Sequence, residues 1–116
     1  FRAAGKTIVA YSSSWGEKEY YLSSVANTVV LNPLGAMEIN GLSTSTPFLT
    51  GALEKFGVGV QVIRVGKFKA AVEPLIRKNL SPENRQQTQK LLNDVWGEWR
   101  TAVGQNRKIS PNQLQA

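Results

Sequence analysis

The chain contains no cysteine and no histidine. Those two zeros remove thiol nucleophiles, disulfide frameworks, iron–sulfur sites, zinc sites built on Cys or His, and any Ser-His-Asp triad within these residues. Long apolar runs are missing too. No stretch approaches about 18 uninterrupted apolar residues, so nothing reads as a membrane-spanning helix. Phe1-Arg2-Ala3-Ala4-Gly5 lacks the charged-then-apolar layout of a signal peptide. There is no internal repeat and no low-complexity segment. What is present is 116 residues, 41% hydrophobic, with three Trp, three Tyr and four Phe. That is enough to bury a core without metal or disulfide, and it fits a folded domain or part of one.

Acid is scarcer than base: 8 Asp and Glu against 14 Lys and Arg, a formal net charge of +6. Up to residue 60 the signs balance, with Arg2, Lys6, Lys18 and Lys55 facing Glu17, Glu19, Glu38 and Glu54. The excess therefore lies in residues 61–116. A basic half can serve nucleic acid or anionic lipid. These charges alternate with acids and amides and form no run, which reads as solvated helical surface.

Phe1–Ala4 reads as the last turn of a helix closed by Gly5. Thr7–Tyr11 is a β-branched and aromatic run, a strand that Ser12-Ser13-Ser14 should break. A helix is expected over Glu17–Asn27. A second strand covers Thr28–Leu31 and should stop at Asn32-Pro33, and a third short one covers Ala36–Ile39. Thr46–Phe56 reads as a helix ended by Gly57. Val58–Val65 has the strongest strand pattern in the chain, with Val58, Val60 and Val62 at period two. A short helix is expected around Val72–Lys78, with Pro74 near its start.

Ser81-Pro82-Glu83 is a helix N-terminus: a hydroxyl cap, proline at the first helical position and an acid in the first turn. That helix should run to about Asn106. Leu92, Val95, Trp96, Trp99, Ala102 and Val103 form its apolar stripe, with the tryptophans as core aromatics. Ser110-Pro111 repeats the cap-plus-proline signal. Both ends are thus expected to cut through secondary structure, and the chain to be part of a longer protein. The alternation of strands and helices gives an α/β class.

Without Cys, His or metal, catalysis is left to Ser/Thr, Lys, Tyr and carboxylates. Serine with lysine is one workable pairing. The lysine must then be neutral, so its pKa must be drawn down from about 10.4 by burial or a nearby cation. Gly66-Lys67-Phe68-Lys69-Ala70-Ala71-Val72-Glu73-Pro74 could house one: Lys69 sits at a strand-to-helix turn beside small and apolar residues. On spacing alone, Lys69 still reads as an exposed lysine.

The same segment, with Arg64-Val65 before it and Leu75-Ile76-Arg77 and Leu80-Ser81-Pro82-Glu83-Asn84-Arg85 after it, resembles the signal peptide peptidase A (protease IV) family in its long tandem form. The resemblance extends through Tyr20-Tyr21-Leu22, Ala26-Asn27, Leu31-Asn32-Pro33-Leu34-Gly35 and Gly41 to Trp96 and Asn106-Arg107-Lys108-Ile109. It implies a membrane-associated serine peptidase that digests released signal peptides. It implies a Clp-protease/crotonase-like fold of repeated ββα units, of which residues 1–116 are part of the first, lysine-bearing half. Lys69 falls on the family's general base, and the serine comes from a second half outside these residues. Where the serine-bearing half reads Ala-Ala-Ser-Gly-Gly-Tyr, this chain reads Trp15-Gly16-Glu17-Lys18-Glu19-Tyr20, so Glu17 stands at the nucleophile position. Ser12, Ser13 and Ser14 lie three to five residues too early and read as turn residues. These residues alone are expected to be inactive.

No cofactor or metal is implied. The expected partners are signal-peptide substrates, the second half with the serine, and further copies in a homotetramer, but no nucleic acid. Membrane association would use segments outside these residues, at the bacterial cytoplasmic membrane (periplasmic side) or the thylakoid membrane. Two other readings stay open. One is a non-catalytic basic module for anionic lipid or nucleic acid, whose binding would fall steeply with salt. The other is a crotonase-type acyl-CoA enzyme, which would share the fold.

Overall fold

Strand-forming residues before and after one amphipathic helix dictate the first part of the chain. The computed structural model describes residues 1–63, 70–110 and 112–114. It divides into two units, Phe1–Leu42 with Val95–Ala116, and Ser43–Asp94. The whole is mixed α/β with a small parallel sheet.

In the first unit, a 3-10 turn at Arg2–Ala4 ends on Gly5 at φ 71°, the left-handed conformation expected there. Strand β1 (Val9–Trp15), helix α1 (Glu17–Ser23) and strand β2 (Thr28–Met37) make a βαβ unit, and β1 pairs with β2 in parallel. A helix is the usual crossover for parallel strands. Helix α1 stops at Ser23, short of the expected Asn27. Asn27 instead starts the sheet: its N–H donates to the Ile8 carbonyl, and its Oδ1 accepts from the Ile8 N–H at 2.9 Å.

The serines do not break β1. Ser12 pairs with Leu31 and Ser14 with Ala36, so the strand continues to Trp15. Nor does Asn32-Pro33 end β2. Between Leu31 and Ala36 the strand bulges out, and the expected third strand is its continuation as far as Met37. Asn32 holds this bulge: its Oδ1 accepts the Leu34 N–H at 2.8 Å and its amide donates to the Tyr11 hydroxyl. Gly35 is a steric requirement, because a Cβ there would lie 2.3 Å from the Ser13 carbonyl oxygen. Turn chemistry is thus spent inside a strand as a bulge.

Helix α4 (Pro82–Arg107) has the expected limits to within a residue. Its C-terminal half completes the first unit's core, where Trp15, Ala26, Trp99 and Val103 are buried. Trp96 stacks on Trp99 with centroids 4.7 Å apart, and Tyr20 lies between Trp99 and Trp15 at 6.3 and 6.5 Å. The stripe is narrower than its sequence suggests. Val95 is exposed and Trp96 only half-buried, so within this unit the seam runs through Trp96, Trp99, Ala102 and Val103. Asn106 and Arg107 donate to the Ser24 hydroxyl and the Ala26 carbonyl, fixing the helix end. Beyond it, Ser110 and Gln113 exchange reciprocal capping bonds, with a turn at residues 112–114.

In the second unit, helix α2 (Thr50–Lys55) begins later than Thr46, since Pro47 lies in the preceding loop. Gly57 follows it at φ 70°, as expected of a helix-ending glycine. Helix α3 (Glu73–Ile76) carries Pro74 in its first turn, where no amide donor is lost. The Leu49 N–H donates to the Pro74 carbonyl and the Thr50 hydroxyl to the Arg77 carbonyl, joining α2 to α3. The expected strand over Val58–Val65 does not form across Val58–Ile63, and Arg64 and Val65 lie outside the described residues. A period-two apolar pattern becomes a strand only beside a neighbour's ladder, and none among the described residues supplies one.

Candidate functional site

Two places carry the chemistry read from the sequence, one in each unit. The first is the segment around Lys69. Lys69 itself, with Arg64–Phe68, lies outside the described residues. The carbonyl of Ala70, the next residue, accepts the Glu73 N–H at 3.0 Å in a tight turn. From that turn the chain enters α3.

Glu73 is 1% exposed, and its carboxylate is fully engaged. Oε2 accepts the Ser81 N–H and the Asn84 side-chain amide, both at 3.0 Å, and Oε1 accepts the Ser81 hydroxyl. The Ser81 hydroxyl also accepts the Asn84 N–H at 3.1 Å, so it caps α4 as the sequence predicts. In a capping box the acid three residues into the helix reaches back to the cap residue's amide. Here that position is Asn84, and Glu73, eight residues before the cap, supplies the carboxylate instead. Burial pushes the Glu73 carboxyl up. The donors from Ser81 and Asn84, with the charge of Arg77, outweigh it and hold the group below the usual glutamate range. Glu73 is therefore an ionised, buried carboxylate beside a helix N-terminus, where the helix field favours negative charge.

Sequence reasoning sees Glu73 only as a letter in the lysine motif. A short helix offers too little periodicity to show which of its residues is buried. The available signal is a helix start, Ser81-Pro82-Glu83-Asn84, whose third helical residue is an amide, leaving the cap residue's N–H to an outside acceptor.

The second place is the start of α1, where the resemblance puts Glu17 in the nucleophile's position. Gly16 precedes the helix with no side-chain cap. The Glu17 Oε1 accepts the backbone N–H groups of Asn40 at 2.9 Å and Gly41 at 3.2 Å. Its backbone carbonyl accepts the Trp99 indole N–H at 2.8 Å. One residue thereby ties α1 to the chain beyond β2 and to α4. The carboxyl is held below the usual range by its own backbone N–H first and then by that of Asn40. Burial opposes this, and the Gly41 N–H adds to it. Position 17 is occupied by an acceptor group and offers no hydroxyl.

The serines before it lie in strand β1. The Ser12 hydroxyl donates to the Ser14 carbonyl and accepts the Ser14 N–H at 3.1 Å, a local pattern inside β1. No general base touches it among the described residues. The described residues hold no cluster of three metal-ligating side chains. They contain no helix long and apolar enough to cross a membrane.

The model of peptidase family S49 matches residues 1–116. The chain is 34% identical over 114 residues to Protease 4 of Haemophilus influenzae and 37% identical over 114 residues to Protease 4 of Salmonella typhi, covering 98% of this chain and 18% of each relative. It is 39% identical over 103 residues to the chloroplastic serine protease SPPA of Arabidopsis thaliana, covering 89% of this chain and 15% of that protein. The chain thus spans less than a fifth of the length of these relatives.

Proposed function

The chain belongs to peptidase family S49, and on that premise we propose that it is the lysine-bearing part of a serine peptidase that digests released signal peptides. Lys69 is the general base in this reading. The serine comes from a homologous second half beyond these residues, and neither half is active alone. The observation that carries the reading is the state of position 17. Where a nucleophile would stand, Glu17 carries a carboxylate committed to two backbone amides. A carboxylate in that role cannot replace the serine hydroxyl that attacks and is restored on deacylation, so in this reading the nucleophile comes from elsewhere. The motif Gly66–Pro74 supplies the matching base by its resemblance.

In the proposed reaction the neutral Lys69 amine takes the serine proton as the hydroxyl attacks the scissile carbonyl. The ammonium then protonates the leaving amine, the acyl-enzyme forms, and water enters with the same base to release it. A low-dielectric surrounding keeps the amine neutral, which requires the second half to be present. The reading brings with it a Clp-protease/crotonase-like fold of ββα units and a homotetramer. It also brings attachment at the bacterial cytoplasmic membrane, on the periplasmic side, or at the thylakoid membrane, through segments outside these residues.

The test is turnover of a signal-peptide-like substrate by the full chain. Lys69→Ala abolishes it without loss of fold, Lys69→Arg does the same because a guanidinium stays protonated, and Lys67→Ala keeps most of it. If Lys67→Ala is dead and Lys69→Ala active, the base is Lys67. If both stay active, a lysine base is wrong for this protein.

A further inference from the structure

A buried carboxylate needs a reason. Removing a glutamate from water is costly, and an apolar side chain of similar size would hold a short helix against a long one at least as well. Glu73 is nevertheless 1% exposed, with its carboxylate hydrogen bonds running to the start of one long helix. What a charged, directional group supplies and an apolar one does not is a fixed position: three donors from two residues define where both carboxylate oxygens lie. Its backbone is equally constrained. The Glu73 N–H closes the turn onto the Ala70 carbonyl, and the Arg77 N–H closes the next turn onto the Glu73 carbonyl at 2.8 Å. Ala70 is the residue that follows Lys69.

We propose that Glu73 is a positioning residue for the lysine base, acting through the Ala70–Glu73 turn to anchor Ala70, the residue that follows Lys69, on the N-terminus of α4. This rests on the assignment of Lys69 as base. Glu73 takes no proton in the reaction and touches no substrate. It fixes Ala70, the residue that follows Lys69, and in the proposed reaction the approach of base to serine depends on how that neighbour is held. A displacement of about 1 Å at a reacting group can cost about 100-fold in rate.

The clamp can be weakened without emptying it. In Glu73→Gln, the single side-chain oxygen can still accept both the Ser81 N–H and the Asn84 amide. The new NH2 meets the Ser81 hydroxyl, which must reverse from donor to acceptor. In Glu73→Ala, the Ser81 N–H, the Ser81 hydroxyl and the Asn84 amide all lose their acceptor. Asn84→Ala removes one donor from α4 and leaves Glu73 in place.

The experiment measures kcat and KM of the full chain on a signal-peptide-like substrate, well below the unfolding temperature of every variant. Lys69→Ala serves as the reference for the base, and Val103→Ala as a destabilised control in the other unit. The expected result is a kcat loss of about 100-fold in Glu73→Ala with KM within about twofold. Asn84→Ala loses several-fold in kcat alone, Glu73→Gln recovers most of the rate, and Val103→Ala keeps its kcat. Should Glu73→Ala not fold, Asn84→Ala and Glu73→Gln carry the test by the same split. Wild-type kcat in Asn84→Ala and Glu73→Ala, with Lys69→Ala dead, overturns the positioning role and leaves the base assignment standing. Losses that follow only the folded fraction, as in any destabilised control, also overturn it. An active Lys69→Ala overturns the base assignment itself.

Discussion

Replacing Glu17 separates its role as a hydrogen-bond acceptor from its charge. Both amides it holds, Asn40 and Gly41, donate to the same oxygen, Oε1. Glu17→Gln can keep that oxygen and both bonds, whereas Glu17→Ala removes them. A buried hydrogen bond to a charged group contributes about 1.5–3 kcal/mol. Glu17 is only half-buried, so water can replace part of what is lost. The sum for Glu17→Ala is then about 1–3 kcal/mol, with Glu17→Gln below about 1 kcal/mol. Urea unfolding followed by tryptophan emission is the assay, because the Trp99 indole donates to the Glu17 carbonyl and reports the same joint. The pH dependence carries a sign. The native carboxyl is depressed, so its contribution is present above the ordinary glutamate range and fades as pH falls through the native value. The gap between wild type and Glu17→Gln therefore closes on acidification. Equal destabilisation by Gln and Ala at neutral pH would mean that charge holds the joint and would refute the acceptor argument. A Glu17→Ala midpoint indistinguishable from wild type would refute the joint altogether.

Gly35→Ala should cost about 1–3 kcal/mol, or shift the β2 bulge, because its Cβ would meet a backbone oxygen and not a movable side chain; a neutral midpoint in urea would show that the bulge is not fixed there. Trp99→Ala should cost about 3–5 kcal/mol and half-buried Trp96→Ala clearly less; equal losses would place Trp96 in contacts beyond the Trp99 stack. A fluorophosphonate probe on the full chain should leave Ser12, Ser13 and Ser14 unlabelled, as peptide mass mapping would show; stoichiometric labelling of any of them would make this part of the protein a self-contained hydrolase.

What the residues reveal unaided is what local chemistry decides. Ser81-Pro82 starts α4 where the hydroxyl is seen to cap it, and Gly5 and Gly57 adopt the left-handed conformation that ends a helical turn. Failures occur where a distant partner decides. The serines of β1 have poor strand propensity but are carried by the pairing of Ser12 with Leu31 and of Ser14 with Ala36. Asn32-Pro33 carries turn chemistry that a bulge uses as readily as a chain reversal. Val58–Ile63 has the pattern of a strand with no ladder to join. Of the two engaged carboxylates, Glu17 is noticed only because it replaces a serine by resemblance. Glu73 escapes notice because burial of an acid depends on Ser81 and Asn84, which a sequence places nearby without showing that they face it.

The two carboxylates explain each other once the serine is assigned elsewhere. A position that must present a nucleophile cannot also carry an acceptor for two backbone amides. A hydroxyl aimed at substrate has to remain free of such bonds, and the chain around it must be held by other groups. Freed of that duty, position 17 can anchor the chain beyond β2 directly, and Glu17 does so through one oxygen. On the proposed assignment of Lys69 as base, the lysine turn has the opposite requirement. A base must not be tied down by strong acceptors, since an acceptor on the ammonium raises its pKa and removes its function. Its placement has to come from a neighbour along the chain. An ionised carboxylate four residues on, with both oxygens hydrogen-bonded to Ser81 and Asn84, can fix the backbone at Ala70–Glu73 from the side of α4. The same residue type thus serves as a tether at both places, and the proposed split of serine and lysine gives each a reason: at position 17 no nucleophile has to be presented, and at the lysine turn the proposed base is placed by a neighbour along the chain.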